Sequence, residues 1–159
     1  MTVMPAIEPL NECEEFAWRS LSRVIVVAPR LLDEDLQRDA QMGLSEYTVL
    51  VHLSEAPDSM LRVAQLADLA YLSGSRVTRL VDQLALEGLV EKERSEHDRR
   101  GIEVRITKKG LARLESAYPA HLSSVRSRVI DHLDPSKLAV FGRMLADVPL
   151  GEGSPDSRF

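Results

Sequence analysis

The 159-residue sequence contains one cysteine, Cys13, so it can form no internal disulfide and cannot build a zinc site from thiolates. It has no long apolar run. The longest, residues 24–28, falls far short of the roughly 20 residues a membrane-spanning helix needs, and no signal-peptide layout precedes it. These absences predict a soluble, intracellular, cytoplasmic chain with no membrane partner. Its four histidines, at 52, 97, 121 and 132, show no metal-ligand spacing. There is no glycine-rich phosphate loop and no nucleophile elbow. The sequence therefore calls for no metal, no cofactor and no enzymatic activity. It also lacks an excess of positive charge: 20 Lys and Arg stand against 25 Asp and Glu, a net charge of −5. On its face this argues against a polyanionic partner, which needs a basic surface to release its counterions.

The distribution of charge matters more than its sum. Between positions 73 and 110 there are nine Lys or Arg and seven Asp or Glu, a local balance of +2 on an otherwise acidic chain. With 44% hydrophobic residues the chain is long enough to bury a real core and short enough to fold as one unit, with two sub-regions at most.

Hydrophobic periodicity places the elements. Leu10, Cys13, Ala17, Leu21, Val24 and Ala28 recur at three and four, predicting a helix over about 8–28. Pro29 removes an amide donor and should kink it before it resumes through Leu32, Leu36 and Ala40, with Gly43 as its stop. Ser45 is a suitable N-cap for a second helix containing Val49, Leu50 and Leu53, ended by Pro57. A short helix over 62–70 follows, then a turn through Tyr71 and Leu72. Ser73 caps a further helix over 73–87, whose Val77, Leu80, Val81 and Leu84 face inward. Gly88 ends it. Ile102, Val104 and Ile106 then alternate with polar residues as a half-buried strand, paired with residues 90–94. The connecting tip, 95–101, is polar. A long helix follows, carrying Leu111, Leu114, Tyr118, Leu122, Val125 and Val129 and bent near Pro119, and Asp134-Pro135 opens a last one.

A short helix, a tight turn, a longer helix with a polar outer face and then a strand hairpin is the order of a winged helix-turn-helix. The outer face of residues 73–87 carries Ser73, Ser75, Arg76, Thr78, Arg79, Asp82 and Gln83, side chains able to hydrogen-bond to base edges. The hairpin adds Arg94, His97, Arg99 and Arg100, placed to reach the flanking backbone or minor groove.

These residues resemble the multiple antibiotic resistance regulator (MarR) family of winged-helix transcription factors over nearly the whole chain. The resemblance rests on Gly43-Leu44-Ser45, on Ser75 through Leu84 followed by Glu87-Gly88-Leu89-Val90, and on Asp98-Arg99-Arg100 ahead of Ile106-Thr107-Lys108-Lys109-Gly110. It implies a mainly α protein with a minor β part, a winged helix-turn-helix flanked by N- and C-terminal dimerisation helices. Residues 1–35 and 108–150 would form the dimerisation region, 36–107 the DNA-binding region, and 151–159 a mobile tail. The implied molecule is a homodimer on a pseudo-palindromic site in double-stranded DNA, more specifically a repressor released by a small-molecule effector. The resemblance casts Asp98 as the wing-stabilising ion-pair partner and Arg100 as the groove or phosphate contact, with Arg99 and Arg94 as auxiliaries.

Other readings compete at particular residues. Some peroxide-sensing relatives carry a reactive cysteine in the first helix, but here Glu12, Glu14 and Glu15 surround Cys13 and disfavour a thiolate, and residues 30–42 hold no tyrosine. A helix-packing role for Cys13 is preferred. Trp18 and His52 are candidates for the effector pocket, weighed against plain core or interface roles. Arg19, Arg23 and Arg30 are weighed between anion binding and solvated ion pairs. A purely protein-binding helical module would use the same terminal helices but leaves the basic hairpin unexplained.

Overall fold

The computed structural model describes residues 8–94 and 101–149. The expectations for His97, Asp98, Arg99 and Arg100, and for the tail 151–159, lie outside the described residues.

The chain begins with a 29-residue helix, α1 (Glu12–Ala40). Asn11 caps it: its Oδ1 accepts from the Glu14 amide at 3.0 Å while a Glu14 carboxylate oxygen accepts from the Asn11 amide at 2.9 Å. Glu12, Glu14 and Glu15 in the first turn complement the helix dipole. The helix runs unbroken through Pro29, where an interruption was expected. Proline there removes one hydrogen bond to the Ile25 carbonyl, and Ile25 and Pro29 both face solvent, so water can satisfy that oxygen. The helix stops at Ala40 with Gln41 in the left-handed region, φ 52°, before the expected stop at Gly43.

Gly43 is instead the N-cap of α2 (Leu44–Glu55), and Ser45 sits inside its first turn rather than capping it. Two carboxylates take over the capping. Asp33 on α1 accepts from the Leu44 amide at 2.7 Å, and Glu46 accepts from the Gly43 amide at 3.0 Å. The predicted helix over 62–70 is shorter: Met60–Arg62 form a strand, β1, and α3 spans Val63–Leu69. Three residues are too few to display an alternating pattern, and the strand exists only because it finds a partner later in the chain.

That partner is β3 (Ile102–Ile106), which also pairs antiparallel with β2 (Val90–Arg94), giving the sheet order β1-β3-β2. Leu61 faces Val104 across one ladder, and Val90 faces Ile106 across the other. Between α3 and β2 lies α4 (Gly74–Leu86), with Val77, Val81 and Leu84 buried as the periodicity predicts. Gly88, at φ +73°, turns the chain out of α4, and the Leu89 amide bonds back to the Leu84 carbonyl at 2.9 Å.

The helix α5 (Lys108–Arg128) starts at Thr107, whose hydroxyl accepts from the Gly110 amide at 3.0 Å and donates to the Gly88 carbonyl at 2.8 Å. Gly110 is required there by space. A Cβ would collide with the Leu89 carbonyl oxygen and lie 2.7 Å from Ile106 Cγ1. Gly110→Ala is expected to lower stability by about 1–3 kcal/mol, as overpacking against backbone does. A shift of the denaturant midpoint checks this, and an unchanged midpoint would show that the first turn of α5 can move aside.

Asp134 Oδ1 accepts from the Ser136 amide at 2.9 Å, as its capping signal suggests, but what it opens is a 3-10 turn over Pro135–Lys137. The last helix, α6, follows as Leu138–Ala146. No helix among the described residues is long and apolar enough to cross a membrane.

The core lies under α2, α3, α4 and the sheet, around Leu50, Leu53, Leu66, Val77 and Val104. From there α1 and α5 run together, joined by a polar cluster. Asp35, only 5% exposed, accepts from Ser124 Oγ at 2.6 Å, from Arg128 Nε and Nη2 at 2.9 Å each, and from Arg38 Nη1 at 2.9 Å. The Arg128 and Ser124 hydrogen bonds hold its carboxyl well below the usual carboxylate range.

His121 of α5 stacks on Tyr47 of α2, with ring centroids 4.3 Å apart, and its Nδ1 is buried without a partner among the described residues. Burial lowers the pKa values of both His121 and His52 from the ordinary 6.5. In the unfolded chain each imidazole takes a proton near 6.5, and the folded chain resists. Their contribution to stability is intact above 6.5 and is lost as pH falls from 6.5 through the folded-state values. Thermal stability should therefore drop between pH 7.5 and 5, and His121→Phe, which keeps the stack, should flatten that decline. An identical decline in the variant would remove His121 from the explanation.

Candidate nucleic-acid interface

The helix α4 buries one side and leaves Ser73, Ser75, Arg76, Thr78, Arg79, Asp82 and Gln83 exposed on the other. Its start is fixed by Ser73, whose hydroxyl accepts from the Arg76 amide at 3.4 Å and lies 3.3 Å from the Ser75 hydroxyl. Thr78 donates to the Gly74 carbonyl at 2.8 Å, which orients its hydroxyl and leaves the oxygen free to accept.

Most of the charged and amide groups on this face are held from the side. Arg76 Nη2 donates to Ser45 Oγ of α2 at 3.1 Å. Gln83 donates to Glu46 and to Glu87, at 3.2 Å each. Asp82 accepts from Lys92 of β2 at 2.6 Å, tying the hairpin to the helix. Arg79 is different: among the described residues it has no hydrogen-bond or ion-pair partner. A guanidinium with five unfilled donors, on a face otherwise offering hydroxyls, is suited to a planar acceptor pair such as the O6 and N7 edge of a guanine.

Between α4 and the first turn of α2 is a depression of about 530 Å³, bordered by Asp33, Ser45, Glu46, Arg76, Arg79 and Gln83. Its two carboxylates already accept from the Gly43 and Leu44 amides. Two carboxylates and two guanidiniums thus border it, with no excess of either charge. Sequence reasoning placed Ser45 and Glu46 at a helix start without seeing that both reach across to α4. Such cross-helix pairs, 31 and 37 residues apart, leave no periodic trace.

The hairpin rises beside α4. Arg94 ends β2, exposed and opposite Ile102. Arg105 of β3 donates to the Asp58 carbonyl at 2.7 Å, so it braces the base of the hairpin instead of projecting from it.

The effector candidates lie elsewhere. Trp18 is 57% exposed on α1, and His52 is half-buried on α2, near the Leu69 backbone. Neither lines the cleft between α2 and α5. Cys13 is exposed, so it does not pack within its own chain. Arg19 pairs with Glu15, and Arg30 with Glu34 at 3.5 Å, as solvated i,i+4 pairs.

Comparison with known proteins adds an independent line. A family profile described as MarR family matches residues 40–101. The chain is 33% identical over 111 residues to the HTH-type transcriptional repressor YetL of Bacillus subtilis (strain 168), covering 69% of this chain and 66%, just under two thirds, of that relative. Among solved structures it is similar to Sco3205, a MarR family transcriptional regulator from Streptomyces coelicolor in complex with DNA. The TM-score is 0.80 at 32% identity, over 89% of each chain. It is also similar to AbsC, a MarR family transcriptional regulator from the same organism, with a TM-score of 0.77 at 32% identity over 87% of this chain and 93% of that one.

Proposed function

This chain belongs to the MarR family of transcriptional regulators, which are not enzymes, and from that premise we propose that it is a homodimeric repressor that reads pseudo-palindromic double-stranded DNA and is released by a small ligand. The observation that carries the reading is the outer face of α4, where Arg79, with no hydrogen-bond or ion-pair partner among the described residues, stands beside the braced Arg76 and the hydroxyls of Ser73, Ser75 and Thr78. The hairpin would add Arg94, His97, Arg99 and Arg100, with Asp98 as a wing anchor. The solved structure of Sco3205 in complex with DNA, on the same fold, supports this use of the surface, and the repressor name of YetL supports the direction of control.

Dimerisation is supported by surface that a lone chain leaves open. On α1, Phe16, Trp18, Val24, Ile25 and Val26 are each more than half exposed, and on α6 Val140, Phe141, Met144 and Leu145 are also open. Of the predicted apolar stripe of α1, Leu10, Cys13, Ala17 and Val24 are exposed, Leu21 and Ala28 are half-buried, and Leu36 is in the core, so it is the N-terminal part of the helix that stays open. Large apolar side chains left exposed along two terminal helices favour an interface. In this reading 1–35 and 108–150 pair the subunits and 36–107 form the reading heads. A ligand relieves repression by binding better to the spacing of heads that DNA rejects.

The test is a gel shift on the DNA upstream of the chain's own coding region, over a range of salt. Specific binding that weakens linearly in log[salt] is expected. Arg100→Ala should reduce that slope by about one unit for each phosphate that the arginine neutralises. Equal affinity for unrelated DNA at every salt concentration would contradict the proposal.

A further inference from the structure

A helix ends in carbonyls that have no partner within it and that carry the negative end of its dipole, so a cation from another element ties that end to the element that supplies it. The helix α4 has no basic residue in its last turn. The carbonyl of its capping residue, Glu87, accepts from Lys109 Nζ at 2.6 Å. At the end of α1 the basic residue is Arg38, and Asp35 and Asp39 engage it. Arg113 serves there instead: its Nη2 donates to the Ala40 carbonyl at 2.6 Å and to the Gln41 carbonyl at 2.8 Å.

Both donors stand on the first two turns of α5, four residues apart and so on one face. That stretch is itself held fast. The Thr107 hydroxyl caps its start, and Gly110 lies so close to the Leu89 carbonyl that even a Cβ has no room. Little else joins the two helix ends. Among the described residues α1 packs along α5 but makes no extended contact with α4, and it passes into α2 through residues 41–43. Arg113 is half-buried and grips two carbonyls, while Lys109 is exposed and grips one. The arginine is therefore the stronger half of this strap.

We infer that Lys109 and Arg113 are positioning residues that fix the angle between α4 and α1, and through it the separation at which two reading heads meet DNA. A chain without them keeps the side chains of the α4 outer face and its apolar core, but α1 and α4 can rock against each other about their ends. The lever is long. A rocking of about 10° at Ala40 becomes a displacement of roughly 3 Å at Arg30, ten residues back along α1. The consequence for DNA rests on the proposed homodimeric reading; the angle within one chain does not.

The test is pulsed electron double resonance on the full-length protein in a Cys13→Ser background, with nitroxide labels at Leu86→Cys on α4 and Arg30→Cys on α1, both exposed positions. Labelled protein is diluted into excess unlabelled chain, so that only the distance within one chain is read. The distribution should broaden about twofold in the double variant Lys109→Met, Arg113→Met, and by less in either single variant. The pair Lys109→Arg, Arg113→Lys, which keeps a donor at each place, should recover most of the original width. A wild-type width in the double methionine variant, no recovery in the conservative pair, or an unchanged width in Lys109→Met, an exposed position whose circular dichroism should match the wild type, would overturn the inference. A second readout uses the upstream DNA that the wild-type chain protects, with the segment between half-sites shortened or lengthened by one or two base pairs. The wild-type chain should prefer one spacing by roughly tenfold, and the double methionine variant by under about threefold. The lost charges weaken every spacing alike, so the ratio reports position. An unchanged ratio would contradict the role in head separation. A wild-type chain with no specific site would contradict the regulator proposal, and the label distances would still decide the strap.

Discussion

Replacing Asp35 by alanine is expected to lower the stability of the folded chain by about 2–3 kcal/mol. The carboxylate is 5% exposed and accepts four hydrogen bonds, from Ser124, Arg38 and two nitrogens of Arg128. Removing one member of a fully buried pair costs roughly 3–5 kcal/mol, because a charge is left without compensation. The cost here is smaller because the Arg38 and Arg128 side chains are 61% and 40% exposed, and water can take over their donors. The orphaned Ser124 hydroxyl and the void left between α1 and α5 remain. Chemical denaturation at fixed protein concentration reads the loss, the concentration being held because the proposed subunit pairing would contribute to the apparent stability. A midpoint within error of the wild type would show that the cluster follows from the packing of α1 on α5 and does not reinforce it. The pH dependence has a definite sign. The folded-state pKa is depressed below the ordinary 3.8, so the contribution of Asp35 is complete above that value and is lost as the pH falls below it.

Arg79→Ala is expected to weaken binding to the specific DNA site by about 1–3 kcal/mol for each reading head, and by about twice that for a symmetric dimer carrying the change in both copies. The loss should be specific, with affinity for unrelated DNA changing far less, because a base contact carries sequence information that a phosphate contact does not. Arg76→Ala should act in the same direction. Ser45→Ala should reproduce only part of that effect, since it removes the brace at 3.1 Å and leaves the guanidinium in place. Equal losses on specific and unrelated DNA for Arg79→Ala would reassign Arg79 to the phosphate backbone. Unchanged binding in both arginine variants would remove this face of α4 from the interface.

The parts of the molecule legible in the sequence are those with a local period. The inward face of α4 shows itself as Val77, Leu80, Val81 and Leu84, and the alternation at Ile102, Val104 and Ile106 announces the central strand. What escaped depends on partners far along the chain. The strand Met60–Arg62 is defined by its pairing with Arg105, Val104 and Glu103. Gly43 looks like a helix stop because glycine favours that role, yet Gln41 takes the left-handed cap and Gly43 starts the next helix, with Asp33 and Glu46 supplying the caps. Asp35 reads as one more surface carboxylate beside Asp33 and Glu34, and only the return of α5 at Ser124 and Arg128 buries it. The outer face of α4 is legible as a set of exposed polar side chains. The division within it, Arg76 braced and Arg79 without a partner among the described residues, is not, because the brace comes from α2.

The modest positive charge around α4 makes the pairing of two heads the central claim: a +2 segment on a −5 chain gains little from bulk electrostatics and depends on shape, spacing and a second copy. The most direct measurement is hydroxyl-radical footprinting on the DNA upstream of the coding region, with the number of chains per site determined in the same complex. The account predicts two chains per site and two protected major-groove segments on one face of the duplex, centred about one helical turn, roughly 34 Å, apart. One chain protecting a single segment, or no specific protection at physiological salt, would contradict it.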